Sequence, residues 1–258
     1  MILRPAESAD EQSQSDFQPA WSVVEKLQKA EYKTCRLVTQ PSHAALAGEM
    51  ASRLNAPDIP KLDAELVRAI ALHDAGWGMP DAQQVMRSRT GQLKAPHSFL
   101  QCSVGEFLAA WTQSIDTAQS ISPAGGYIVS RHFWRLAEHR LKSAHDEGQD
   151  RKALDGFTAR EAARQTQLGG RQQRSITELE QLTDVLQFCD LLSLYVCCGA
   201  KDKVEFPEFV GKKVRVTAAA DRYSMSPNLI EPGSRFLLAT LFHPAGKGRS
   251  GEEIEIIF

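Results

Sequence analysis

Residues 185–198 read Val-Leu-Gln-Phe-Cys-Asp-Leu-Leu-Ser-Leu-Tyr-Val-Cys-Cys, an apolar run interrupted by one ionisable carboxylate, Asp190. Leu179, Leu182, Leu186, Asp190, Ser193 and Cys197 recur at helical steps of three and four, which places Asp190 on the same inward stripe as the leucines. A carboxylate there is costly to desolvate unless something compensates its charge. From Val185 to Ala200 the chain offers no Lys, Arg or His. The compensation must come from elsewhere in the chain or from a metal ion.

Working outward, helical periodicity dominates from Gln40-Pro41 to about Gly199 and predicts helices over 42–55, 63–74, 97–115, 124–143, 158–168 and 175–198. Tyr32–Thr39 reads as a strand, and beyond Gly199 so do Lys213–Ala219, Arg235–Phe242 and Ile254–Phe258. The polar stretch at 6–20 reads as a mobile insertion after Met1–Arg4. Gly-Lys-Gly-Arg-Ser-Gly at 246–251 reads as a turn between strands; it lacks the spacing of a phosphate loop. The expectation is a single, mainly α domain over 1–258, a helical bundle at 41–199 with a small antiparallel β-sheet built from the N- and C-terminal segments.

The other helices supply what Asp190 lacks. Their apolar stripes carry His43 (with Leu46, Ala47, Met50), His73 (with Leu66, Ala69, Ile70), His97 (with Leu100, Val104, Leu108) and His132 (with Ile128, Leu136). One inward His is ordinary, since His is often partly buried. Several with two Asp form the imidazole and carboxylate set suited to Zn, Mn or Fe. His73 and Asp74 are adjacent, about 100° apart on a regular helix, so both reach one centre only near a helix end, and Gly76 could supply that end.

Composition sets the remaining bounds. A charged fraction of 24% and a net charge of -2 fit an ordinary globular protein and give no sign of a nucleic-acid partner. No apolar run reaches the roughly 20 residues of a spanning helix, and the first residues do not resemble a signal peptide, so no membrane partner and a cytoplasmic location are expected. Cys35, Cys102, Cys189, Cys197 and Cys198 form no C-x-x-C pair and read as small buried hydrophobes with free thiols.

The ordered set His43, His73-Asp74, Asp190 resembles the HD-domain superfamily of metal-dependent phosphohydrolases. More narrowly, Gln40-Pro41-Ser42-His43, His73-Asp74-Ala75-Gly76-Trp77 with Asp81, Ser130-Arg131-His132 and Phe188–Tyr195 are similar to an uncharacterised bacterial HD-like family. The resemblance implies a helical core holding one or two divalent ions (Fe, Mn or Zn), with His43, His73, Asp74 and Asp190 around the first. Asp74 could bridge to a second ion, and His132, and less strongly His97, would serve that ion or a phosphate group. In a hydrolase acting on a small phosphorylated substrate, Asp74 and His132 would be catalytic. Arg131 and Arg135 would bind phosphate, although by their residues alone they read first as surface arginines beside Glu138.

Two alternatives stand beside the hydrolase. A di-iron oxygenase of the HD type would use His97 and His132 as further ligands, and a non-catalytic metal-binding module would close its coordination shell. Trp77 reads as a packing anchor, Asp81 as a helix cap, His139 and His145 as surface or supporting residues and His243 as a strand end. Phe206, Pro207 and Phe209 read as packing between sheet and helices. An exposed helix face or sheet edge could support a homodimer.

Overall fold

A computed structural model of the chain describes residues 1–6, 16–143, 146–246 and 249–258. In chain order the elements are β1 (Ile2–Pro5), β2 (Gln18–Pro19), α1 (Ala20–Lys29), β3 (Cys35–Val38), α2 (Gln40–Ser52), α3 (Ala64–Ala71), α4 (Gly78–Arg89), α5 (Val104–Ile121), α6 (Pro123–Ser143), α7 (Gly148–Gly169) and α8 (Ile176–Cys197), followed by β4 (Val204–Glu205), β5 (Arg215–Ala219), β6 (Arg222–Ser226), β7 (Arg235–Gly246) and β8 (Arg249–Ile257). Short 3-10 turns at Ala75–Trp77 and Phe99–Gln101 precede α4 and α5.

The helices start where the sequence supplies acceptors for otherwise unpaired N–H groups. Thr39 and Asp63 accept from Ser42 and Leu66 at the starts of α2 and α3. Ser103 with Glu106, and Ser175 with Glu178, form reciprocal capping boxes on α5 and α8. Helix α8 ends at Gly199, whose φ of +64° a side chain would strain. The Arg4 guanidinium donates to the Val196 carbonyl there, a cation at the negative end of the helix.

Close approach seats the elements that matter for the site. A Cβ on Gly48 of α2 would lie 2.5 Å from the Ala71 Cβ, and one on Gly125 of α6 would lie 2.7 Å from the Ala69 Cβ. Glycine at both places lets α3 wedge between α2 and α6. Tyr127 and Arg131 pair with Glu180, and Arg135 with Gln187, so α6 and α8 run side by side in the same direction with α7 returning the chain. Trp77 is buried against Phe107, which continues through Trp111 to Phe133 on α6.

The expected mainly α bundle with a small antiparallel sheet is wrong. Of the described residues 54% are helical and 18% lie in strands, and these strands form one eight-stranded, curled half-barrel. Their order is β1-β3-β7-β8-β6-β5-β4-β2. The sheet is mixed, because β2 pairs with β4 and β6 with β8 in parallel while the other neighbours are antiparallel. Strands from both chain ends do build it. The C-terminal part of α8 packs into the sheet through Tyr195, which meets Phe206 and Tyr223, the latter stacking on Phe258.

Several boundaries differ for identifiable reasons. Helix α5 starts at Val104 rather than 97, because the Ser103–Glu106 box sets its N-terminus. Helix α3 ends at Ala71, so His73 and Asp74 lie beyond it. Gly76 does not stop α3; it sits in the next 3-10 turn, where a Cβ would lie 2.0 Å from the Ala110 carbonyl oxygen. Part of the expected insertion at 6–20 and of the turn at 246–251, together with His145, lies outside the described residues. Gln18–Pro19 instead forms β2 and Ala20 opens α1. Cys35, Cys189, Cys197 and Cys198 are buried thiols, and Cys102 is partly buried. Among the described residues no helix is long and apolar enough to cross a membrane.

Candidate metal centre

Four separate parts of the chain converge where α2, α3, α6 and α8 meet. His43 comes from the first turn of α2, His73 and Asp74 from the turn after α3, His132 from α6 and Asp190 from α8. The early end of α3 lets adjacent residues serve one point. Leu72 (φ −116°, ψ 10°) and Asp74 (φ −112°, ψ 22°) occupy the bridge region between helix and strand. The His73 ring and the Asp74 carboxylate are therefore freed from the 100° separation of a regular helix.

The geometry is tight. The His43 Nε2 lies 3.2 Å from Asp74 Oδ2 and 3.3 Å from Asp190 Oδ1, and the His73 Nε2 lies 3.7 Å and 3.3 Å from the same two oxygens. These separations exceed the roughly 2.7–2.9 Å of a charge-assisted N–H···O bond. They lie near the edge of about 3.4 Å expected between donors some 2.1 Å from a cation, although Asp74 approaches only the two imidazoles and stands outside the group that converges mutually. His43, His73 and Asp190 each place a donor atom within 4.8 Å of the others. The His132 Nε2 lies 3.7 Å from the other Asp190 oxygen, so Asp190 turns one oxygen to His43 and His73 and the second to His132.

The far side of each ring fixes which nitrogen is free. The His73 Nδ1 sits 2.8 Å from the Ile70 carbonyl, which can only accept, so Nδ1 carries the proton. The His43 Nδ1 sits 2.7 Å from Ser193 Oγ, which itself donates to the Asp190 carbonyl at 2.9 Å. In neutral rings this leaves the lone pair on Nε2 of both histidines, facing the carboxylates. Both Nε2 atoms are buried without a hydrogen-bond partner, as is the His132 Nδ1. The residues present fit a divalent cation.

Charge follows from burial and proximity. Burial pushes the His43 imidazole down, but Asp190 and Asp74 more than reverse this and raise it to about 9. The same opposition leaves His73 raised. Burial works to raise Asp190, yet His43 and His73 outweigh it and hold the carboxylate well below its usual range. Burial wins at His132 and lowers it to about 4, so that ring is neutral at pH 7. The His43 and His73 side chains are sealed from solvent, whereas those of Asp74 and Asp190 keep 8% and 15% of their surface.

The remaining expected site residues fall elsewhere. His97 is exposed in the loop before α5, outside the cluster, where its backbone N–H donates to Gln84. Arg131 donates to Glu180 and lies over the Trp134 ring, and Arg135 donates to Glu180, Asp184 and Gln187. Both arginines are thus tied to α8 rather than standing beside Glu138. Arg135 is one turn from His132, and its partner Gln187 is one turn from Asp190. Asp81 accepts from the Gln40 N–H at the start of α2 and from the Met1 nitrogen, a cap for a different helix from its own. His139 is exposed, and His243 is buried on β7 with its Nδ1 at Ser88 Oγ. Phe209 stacks on Phe188 of α8 and Phe206 on its edge, as packing.

Sequence reasoning placed Ser193 on the Asp190 stripe without giving it a role. Its i+3 spacing from Asp190 was the available signal. No curated protein and no solved structure matches the chain. A family model described as "Protein of unknown function (DUF3891)" matches residues 27–232, a span that contains His43, His73, Asp74, His132, Asp190 and Ser193. The chain belongs to that family, DUF3891.

Proposed function

We propose that this protein is a metal-dependent hydrolase that holds one divalent cation on His43, His73, Asp74 and Asp190 and cleaves a small phosphorylated substrate. One observation carries the reading: two buried imidazoles, each with Nδ1 already engaged, aim unpartnered Nε2 atoms at two carboxylates 3.2–3.7 Å away. An unsatisfied buried polar atom costs about 1–3 kcal/mol. A cation would satisfy both nitrogens and the Asp190 charge together. The order His43, His73-Asp74, Asp190 and its resemblance to HD-type phosphohydrolases support phosphoryl chemistry.

A bound cation of this kind supplies Lewis acidity and lowers the pKa of a water ligand toward about 7. The chain does the rest. His43 and His73 would hold the cation through Nε2, and Asp190 with Asp74 would balance its two positive charges. Asp74 orients the attacking water and takes its proton. His132 stays neutral and offers a single hydrogen bond beside Asp190. Arg135 meets the substrate phosphate by exchanging Asp184, a half-exposed partner whose pairing contributes little.

The di-iron alternative is disfavoured by His97, which lies exposed on a loop outside the cluster. The non-catalytic alternative would close its coordination shell and show no turnover with any added metal. The test is phosphate release from a panel of phosphomonoesters, phosphodiesters and nucleotides with Mn, Zn or Fe(II) added. Hydrolysis should vanish with a chelator and fall at least about 100-fold in Asp74→Asn, an effect at the lower end of general-base contributions. Undiminished turnover in chelator would refute the reading.

A further inference from the structure

We infer that Ser193 is a positioning residue for the metal centre: its hydroxyl locks the His43 tautomer that leaves the Nε2 lone pair facing the cation site. The inference rests on the metal-binding reading above, and it concerns a residue that touches neither metal nor substrate.

The direction of the hydrogen bonds carries the argument. Ser193 is fully buried, one turn beyond Asp190 on α8. Its single hydroxyl proton goes to the Asp190 carbonyl at 2.9 Å, so its oxygen faces the His43 Nδ1 at 2.7 Å as an acceptor. Reversing the second bond would break the first. In its neutral form, the one that binds a cation, the ring then carries its proton on Nδ1 and keeps the Nε2 lone pair facing the site. His73 reaches the same state through the Ile70 carbonyl, a backbone group that no substitution removes. His43 alone depends on a side chain.

Without that hydroxyl the His43 ring has a better alternative. Nδ1–H would be buried with no acceptor, whereas a proton on Nε2 would point at Asp190 and Asp74, 3.2–3.3 Å away. The ring would change tautomer, bond to the carboxylates, and close the site against a cation. The same hydroxyl also ties His43 of α2 to the Asp190 backbone of α8. It therefore fixes both ligands relative to each other, and outer partners of this kind change metal affinity by about 10–100-fold.

The experiment titrates zinc, a diamagnetic probe, into wild type, Ser193→Ala and Ser193→Thr against a chelating dye. Histidine 15N–1H correlation spectra of the zinc-loaded proteins are recorded in parallel, with His43 assigned from His43→Gln. Ser193→Ala should bind zinc about 10–100-fold more weakly and lose the Nδ1-protonated pattern of His43. Ser193→Thr, which keeps the hydroxyl, should restore both. Equal affinity and an unchanged His43 pattern in Ser193→Ala would overturn this role while leaving the metal centre standing. Absence of zinc uptake by wild type would instead overturn the metal reading and this role with it. Circular dichroism matching wild type excludes misfolding as the cause, and a folded Ser193→Thr as weak as Ser193→Ala would also overturn the tautomer lock.

Discussion

Replacing Gly76 by alanine tests whether the turn carrying His73 and Asp74 is held against α5 by backbone contact. A Cβ at 76 would lie 2.0 Å from the Ala110 carbonyl oxygen and 2.8 Å from its carbon, where ordinary contacts begin at roughly 3.4–3.5 Å. The obstruction is helix backbone, which cannot rotate away, so the turn must retreat by more than about 1 Å. Overpacking of this kind costs about 1–3 kcal/mol. The retreat also breaks the 2.9 Å bond from the Gly76 N–H to Ser114 Oγ, a further net loss of about 0.5–1.5 kcal/mol. Urea denaturation should therefore show a loss of about 1.5–4.5 kcal/mol without a change in slope. Zinc affinity should fall with it, because Asp74 is two residues away. A loss below about 0.5 kcal/mol, within the range of an ordinary surface change, would refute the reasoning.

Two further outcomes follow from particular residues. Ala220 is exposed in the β5–β6 turn with φ +54°, a conformation costing roughly 1–2 kcal/mol for a side chain, so Ala220→Gly should stabilise the protein by about 0.5–1 kcal/mol after glycine's entropy cost; a lower thermal midpoint would contradict this. In the metal-free protein Asp190 and Asp74 hold a proton on His43 up to about pH 9, and a cation must displace it, so zinc affinity should keep climbing with pH from 6.5 toward 9 instead of levelling near 6.5. Dye-competition titrations at several pH values would measure the rise, and a plateau from pH 6.5 upward would contradict it.

The residues that converge were legible because helical periodicity reports which face is buried. His43 shares a stripe with Leu46 and Ala47, and Asp190 with Leu186 and Ser193, so their inward aim could be read without coordinates. His97 shows the limit of that method. Its apparent stripe with Leu100 and Val104 assumed a continuous helix, whereas Pro96 and the Ser98 and Ser103 caps divide the segment into a loop, a 3-10 turn and α5. Adjacency of His73 and Asp74 demanded a helix end nearby, but the end falls at Ala71, and Gly76 answers to Ala110 instead.

The sheet was harder to see for reasons of length and partnership. Strands β2 and β4 have two residues each and carry no alternation at all. Strand β2 exists because it pairs with a distant partner, Gln18 with Val204 and Pro19 with Glu205, and β4 in turn pairs with β5. Strand β6, Arg-Tyr-Ser-Met-Ser, buries only Tyr223 fully, too little apolar pattern to stand out. Parallel pairings such as β6 with β8 leave no turn signature between neighbours. Helix α4, with Pro80 and two glutamines, likewise buries only Asp81 and Ser88 fully. Non-local pairing and polar burial are what a reading of single-chain periodicity omits.

Metal content of the purified protein tests the central claim most directly. Wild type incubated with zinc and desalted should carry about one ion per chain, consistent with a single set of four donors, while His73→Ala and Asp190→Ala should carry almost none at unchanged helical content. Equal metal in all three, or none in wild type, would contradict the account.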